Sequence, residues 1–327
     1  MEISSKQIKQ WSRLGPRATY GMAMLQLMEE NERIYAVSAD LGGSSGLQRA
    51  IARFPNRYLN TGIAEQNLIG IAAGMAKEGL VPFASSFAPF ITLRCGDQVR
   101  MNMGYMNLNI KTVGLGSGVS MGYLGNSHYG IEDLAVMRAI PNLTVISPSD
   151  CTEIVKAVKA ASDYEGPVYI RLTGEPGMPV IYQEDFDYQI GKGIFLREGN
   201  DIAIVATGSM VAAAVAAAKG LSKDDIECSV IDMHTIKPLD REILNRISGK
   251  VKLIITLEEH SIVGGLGSAV SEYLAEMAGG PQLLRMGLSD SYLKAGDYQY
   301  MLEQYGLTTE KIIAEIKKYW LQIVNNK

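Results

Sequence analysis

Apolar positions along the chain fall into two alternating rhythms. Short runs dense in β-branched and apolar residues recur at 33–40 (RIYAVSAD), 58–62 (YLNTG), 81–86 (VPFASS), 110–116 (IKTVGLG), 143–149 (LTVISPS) and 168–172 (VYIRL). Between them lie longer stretches with helical patterning, such as 17–31 (RATYGMAMLQLMEEN) and 150–164 (DCTEIVKAVKAASDY). Near-continuous apolar strands separated by helices are what a parallel sheet covered on both faces requires. A stretch carrying glycine, proline and acids, 174–193, interrupts the rhythm and reads as a linker. The rhythm then restarts with 201–208 (DIAIVATG), an alanine-rich helix, 227–238 (ECSVIDMHTIKP), a helix from Asp240, 252–260 (KLIITLEEH), a helix near 266–278 and a final QLLRMGL run. The pattern predicts an α/β protein of two doubly wound domains, 1–185 and a smaller one over 190–327, each long enough for its own core.

Composition narrows the class. Of 327 residues 47% are hydrophobic and 20% charged, with a net charge of −4, which is ordinary for a globular protein. No Lys/Arg run stands out, so neither nucleic acid nor an anionic membrane is an expected partner. The longest wholly apolar run, 210–218 (MVAAAVAAA), falls far short of the roughly 20 residues a membrane span needs. The N-terminal residues lack the apolar segment of a secretory signal, and Cys95, Cys151 and Cys228 are too few and too scattered for a disulfide framework or a structural zinc site. A cytoplasmic protein is expected.

In parallel sheets ligands gather beyond the carboxyl ends of the strands, and there the first domain is rich. Asp40 is followed by GGSSG, Gly62 precedes Glu65, Ser85 and Ser86 precede Phe87, and a glycine-rich loop leads to His128. The second domain's strand ends are plainer. Glu65 opens a helix, TGIAEQNLIGIAAGMAKEG (61–79), whose interior is apolar or tiny. A carboxylate in a first turn is most simply a partner for the helix dipole. Gly70 and Gly74, four apart, however allow another helix to come backbone-close, which would bury Glu65 and demand a proton-sharing partner for it. Phe83 reads as core, whereas Phe87 and Phe90 follow a strand end and suit stacking on a planar ring. His128 closes its glycine-rich loop just before a helix, where it could orient a polar substrate group or move a proton. Glu132 and Asp133 are explained as acids of that helix's first turn. Arg17 after Pro16, Ser44 in DLGGSSG and Arg171 at a strand end could together form a phosphate pocket. GGLGSAV (264–270) lacks the spacing of a dinucleotide fingerprint.

Taken together and in order, TGIAEQNLIGIAAGMAKEG, ASSF, GNSHYGIEDLAVMRAIPNLTVISPSD and GPVYIRLTGEP resemble the pyrimidine-binding half of transketolases. DIAIVATGSMVAAA through LEEHSIVGGLGSAV resembles the transketolase C-terminal domain, so that the resemblance covers essentially the whole chain. It implies a thiamine-diphosphate enzyme in which Glu65 hydrogen-bonds the cofactor's aminopyrimidine and favours the tautomer that removes the thiazolium proton. Phe87 and Phe90 would line the aminopyrimidine pocket, with Arg94 and Asp40 as further cofactor contacts. His128 would touch donor and intermediate hydroxyls, and Arg17, Arg171 and Ser44 would bind the substrate's phosphate.

The GDG…N pattern that holds the metal and diphosphate in full-length transketolases is missing: the nearest string is CGDQ, inside a predicted helix. The chain therefore looks like the C-terminal subunit of a split transketolase. The cofactor, Mg²⁺ and active site would be completed by an N-terminal subunit, in a heterotetramer of two plus two chains. The acid that transketolases place four residues before the loop histidine, to meet a hydroxyl beside the carbonyl, is Leu124 here. An apolar residue would leave that hydroxyl unpaired at a cost of about 1–3 kcal/mol if buried, so a sugar of altered stereochemistry, or one lacking that hydroxyl, is expected. Two other readings are a 2-oxo-acid dehydrogenase beta subunit, whose family lacks the SHYGIEDLAVMR style of loop, and a non-catalytic assembly subunit, against which Glu65 and His128 argue.

Overall fold

In a computed structural model that describes residues 3–292 and 294–325, two sheets carry the fold. The strands are β1 (Ile34–Ser38), β2 (Tyr58–Asn60), β3 (Val81–Phe87), β4 (Lys111–Leu115), β5 (Thr144–Ile146), β6 (Val168–Arg171), β7 (Ile194–Arg197), β8 (Ile202–Ala206), β9 (Cys228–Asp232), β10 (Thr235–Lys237), β11 (Leu253–Ser261) and β12 (Gln282–Leu288). The first sheet has the order β10-β5-β6-β4-β3-β1-β2 and the second β12-β11-β8-β9-β7. All neighbours are parallel except β10 against β5 and β7 against β9. Helices alternate with strands as the patterning predicts: Pro16–Glu30 starts on its proline, and Cys151–Asp163 and Arg241–Ser248 are capped by Asp150 and Asp240.

Two features tie the domains more closely than the sequence suggested. The predicted strand over 227–238 breaks in two. At the break Met233 N donates to Ala206 O, while His234 O accepts from Ser147 N. β9 therefore stays in the second sheet and β10 crosses to edge the first. The apolar core is likewise shared: one cluster joins Val37, Leu68, Ile110 and Val145 to Val205, Ile231 and Leu266.

The 174–193 linker has no helix or strand, yet it is anchored. Asp150 Oδ2 accepts from the backbone N–H groups of Ile181 and Tyr182 at 2.8 and 2.9 Å. The Tyr182 hydroxyl donates to Asp232 Oδ2 at 2.9 Å, and Tyr188 stacks on His234 at 4.3 Å.

At this junction two buried carboxyl groups meet, Glu153 from the first domain and Asp232 from the second. Glu153 Oε2 accepts from Ser149 N and Oγ, but among the described residues Glu153 Oε1 and Asp232 Oδ1 have no hydrogen-bond partner. Burial pushes the Asp232 carboxyl up to about 7, against the hydrogen bonds from Ser149 and Tyr182. Burial, then repulsion from Asp232, holds Glu153 well above the usual carboxylate range. A proton shared across the junction satisfies both free oxygens. Because burial raises the folded-state proton affinity of both carboxyls, the stabilisation is present below the unfolded value near 4 and is lost as pH rises through the pair's raised folded-state titration. The thermal midpoint of the wild type, relative to that of Asp232→Asn, should therefore fall as pH rises from about 4 through neutrality. Parallel pH profiles for the two proteins would show the shared proton to be irrelevant.

Candidate active site

The helix Glu65–Lys77 is entered from β2 through Gly62, which turns the chain at φ +70°, a conformation glycine adopts without strain. No side chain caps it, and Glu65 sits in its first turn, only 4% exposed. Leu68, Ile69, Ala72 and Ala73 bury the inner face. Gly70 and Gly74 lie on the outer face, where an added Cβ would meet no atom within 4 Å.

Glu65 is the first member of a connected cluster. Arg94 Nη1 donates to Glu65 Oε2 at 2.8 Å, and the Arg94 guanidinium lies over the Phe90 ring at 4.1 Å. The Phe90 and Phe87 rings meet edge to face at 6.1 Å. The His128 ring packs edge-on against both, 5.2 Å from Phe90 and 5.7 Å from Phe87. The His128 Nδ1 is 3.0 Å from Ser127 Oγ, and its backbone N–H donates to Gly125 O. A carboxylate acceptor at the rim of an aromatic pair is the setting a flat, hydrogen-bonding ring such as an aminopyrimidine needs. The residues present thus fit the pyrimidine half of the implied cofactor. They do not fit its metal: among the described residues no group of three His, Cys, Asp or Glu is placed to hold one.

Beside this cluster opens a cavity of about 760 Å³, lined among others by Arg17, Ser44, Gln48, Ser120, Leu124 and Tyr298. Gly116 forms part of its wall and backs onto Phe87: at φ +60°, an added Cβ would lie 3.7 Å from the Phe87 ring and 2.5 Å from Met121 Cγ. Arg17 Nη1 reaches the Ser44 carbonyl at 3.4 Å, so two of the three residues assigned to phosphate line one cavity together. Leu124, half-exposed, lines the same wall.

Asp40 pairs with Asn60 after the end of β1. It is exposed at φ +57°, and it exchanges hydrogen bonds with Asn60, whose Oδ1 also accepts from Gly62 N. It braces the turn that leads into the Glu65 helix.

Arg171 is a correction. Its guanidinium is wholly buried, its Nε donating to both oxygens of Asp133 at 2.8 and 3.1 Å, and its Nη2 to the carbonyls of Gly130 and Glu259. A charge committed to a buried carboxylate cannot also face a substrate phosphate. Asp133 is accordingly more than a first-turn acid: the Tyr169 hydroxyl also donates to it, at 2.6 Å.

Sequence reasoning missed the second domain's part in the site. β11 ends in three buried polar residues, Glu258, Glu259 and His260. Glu259 accepts from Val119 N in the glycine-rich loop at 2.7 Å and from the Tyr298 hydroxyl at 2.6 Å, while Ser209 Oγ also donates to it. Burial raises its carboxyl, and the bonds from Ser209 and Tyr298 pull it back. Glu258 Oε1 and Oε2 accept the Gly267 and Leu266 amides at the start of the Leu266–Ala275 helix. Two successive acids at the end of an apolar strand, LIITLEEH, were the available signal.

Residues 14–175 match the family of transketolase pyrimidine-binding domains, and residues 191–312 the family of transketolase C-terminal domains. A putative transketolase C-terminal section from Methanocaldococcus jannaschii is 38% identical over 310 residues, covering 93% of this chain and 97% of that protein. A 6-deoxy-6-sulfo-D-fructose transketolase subunit from a Clostridium species is 39% identical over 297 residues, covering 91% and 92%. Among solved structures, a split-gene transketolase in the form of an inactive β4 tetramer superposes with a TM-score of 0.84 at 41% identity, over 92% of this chain and 97% of that one. This chain belongs to the transketolase family, on the branch whose pyrimidine-binding and C-terminal domains form a polypeptide of their own.

Proposed function

We propose that this chain is the C-terminal subunit of a thiamine-diphosphate-dependent split transketolase, moving a two-carbon ketol unit from a ketose donor to an aldose acceptor. The observation that carries it is the cluster Glu65, Arg94, Phe90, Phe87 and His128, in which a buried carboxylate, an aromatic wall and a histidine follow one another beside an open cavity. The diphosphate and Mg²⁺ would be held by an N-terminal subunit, in a heterotetramer of two plus two chains. The uncovered small-residue face behind Glu65 and the inactive β4 tetramer of the split-gene relative support that division. The lack of a membrane-length apolar helix among the described residues is compatible with a cytoplasmic enzyme.

When bound, the cofactor would supply a nucleophilic carbanion for the donor's carbonyl and a sink for the electron pair of the C–C bond that breaks beside it. Glu65 would accept a hydrogen bond from the cofactor's ring and so favour one of its tautomers. Phe87 and Phe90 would line the ring's pocket, one by its face and the other by its edge, and exclude water around it. His128, whose ring packs against both phenylalanines, would orient the sugar's hydroxyls and relay a proton as the C2–C3 bond breaks. Arg17, with the Ser44 loop, meets the sugar's far end. With Arg171 removed from that role, one guanidinium remains among the three residues assigned to this task. An anionic terminus, phosphate or sulfonate, would rest chiefly on Arg17.

Glu65→Gln, assembled with the partner subunit, should lose activity by about 10²-fold or more while the complex keeps its mass by light scattering; unchanged turnover would favour a purely structural subunit. Leu124 generates a second expectation. A hydroxyl beside the carbonyl that needs a carboxylate partner finds a leucine, so xylulose 5-phosphate should turn over with kcat/KM lower by about 10-fold or more than a ketose of opposite configuration there or lacking that hydroxyl. A substrate panel in which xylulose 5-phosphate ranks first removes Leu124 as a specificity element.

A further inference from the structure

Arg94 makes, from within the chain, the two contacts a cofactor pyrimidine would make. Its guanidinium stacks over Phe90 at 4.1 Å and donates in plane to Glu65 Oε2 at 2.8 Å. A guanidinium is flat, delocalised and donor-rich, and so imitates a protonated aminopyrimidine toward both a carboxylate and an aromatic face. The backbone favours this placement. Phe90–Arg94 forms a widened helical turn of the π type, a feature frequent at functional sites. The Arg94 carbonyl is tethered by Gln66 Nε2 at 3.2 Å, from the first turn of the Glu65 helix. The two partners differ in burial: the Glu65 side chain is 4% exposed and that of Arg94 45%. Glu65 is therefore fixed, whereas Arg94 can turn out to solvent with little packing lost.

The geometry points to Arg94 as a built-in occupant of the pyrimidine seat, covering Phe90 and pairing Glu65 in the unloaded subunit and swinging out as the aminopyrimidine of thiamine diphosphate enters. This rests on the reading that the chain binds that cofactor. It solves a physical problem for a split enzyme whose subunit must exist before assembly. A buried carboxylate without a donor is strongly unfavourable; here each state supplies one, Arg94 before loading and the cofactor ring after it. Because one end of the pair is half-exposed, displacement costs little. Arg94 then acts as a competitor of the cofactor and a positioning residue for Glu65.

The test is calorimetric titration of the full chain, assembled with its diphosphate-binding subunit, with thiamine diphosphate and Mg²⁺. The wild type is compared with Arg94→Met, which keeps bulk over Phe90 but cannot donate. The variant should bind about two- to fivefold more tightly, the range a half-exposed ion pair carries, and its cofactor-free complex should melt at a lower temperature than the wild type. Equal or weaker binding would make Arg94 a structural residue or a cofactor ligand and overturn the inference. A structure of the loaded wild type gives an independent answer that needs no variant: Arg94 withdrawn from Glu65 upholds it, and an intact bond refutes it. If neither wild type nor variant binds thiamine diphosphate, the cofactor reading itself falls, and this inference with it.

Discussion

The buried ion pair between Arg171 and Asp133 is the constraint on which the site's geometry depends. Arg171 ends β6, and Asp133 begins the helix Asp133–Ala139 that follows the histidine loop. Nη2 then ties the Gly130 carbonyl, two residues beyond His128, to the Glu259 carbonyl of the second sheet. One guanidinium thus joins sheet, loop, helix and second domain. Breaking such a pair on one side typically costs about 3–5 kcal/mol, since it strands a charge in the interior. The surroundings are built to prevent that, with Tyr169 as a further donor to Asp133. Arg171 Nη1 has no hydrogen-bond partner among the described residues.

The glycine-rich loop needs this external support because it has little of its own. Its glycines allow the left-handed turns at Gly116, Gly118 and Gly125, but they carry no side chains to pack. What fixes it is a pair of backbone bonds between Gly118 and Gly130, the Arg171 bond to Gly130, and the Glu259 carboxylate on Val119 N. Gly118 also has to be glycine for a local reason: a Cβ there would fall 2.1 Å from Glu259 Oε1. His128 reaches the aromatic pair because the loop's two feet are clamped from opposite sides.

Much of this was legible in the sequence, and the parts that were not share a cause. Glu65, Phe87, Phe90 and His128 follow strand ends within one domain, and strand ends in a parallel sheet converge by topology alone. Their clustering therefore follows from local pattern. Ser44 follows the end of β1 in the same way, whereas Arg17, at a helix start, meets it through the Ser44 carbonyl. Arg171 also stands at a strand end, but its partners come from a helix start and from a strand 88 residues away, and no local pattern distinguishes a solvent-facing arginine from a clamped one. The break at Met233 and His234 was hidden because both halves, CSVID and TIK, read as strand; only sheet membership separates them. The linker looked loose because its anchors are single side chains, Asp150 and Asp232, outside it.

These links give the smaller domain a definite physical role. Among the described residues it contributes no ring, carboxylate or histidine to the Glu65 cluster, and the two acids near the end of β11 are spent on structure. Glu259 is bound by Ser209, Tyr298 and Val119, and Glu258 is committed to the helix start at Leu266. Yet Tyr298 both bonds Glu259 and lines the cavity, as Asp297 does while capping its own helix. A wall built by one domain and a loop steadied by the same domain make the cavity a shared object. Its shape at the Leu124 side then depends on how the two sheets dock, and β10, edging the first sheet from the second domain's sequence, fixes that docking by backbone hydrogen bonds. The form of the cavity is thus set jointly by the side chains that line it and by a strand exchange that lines none of it.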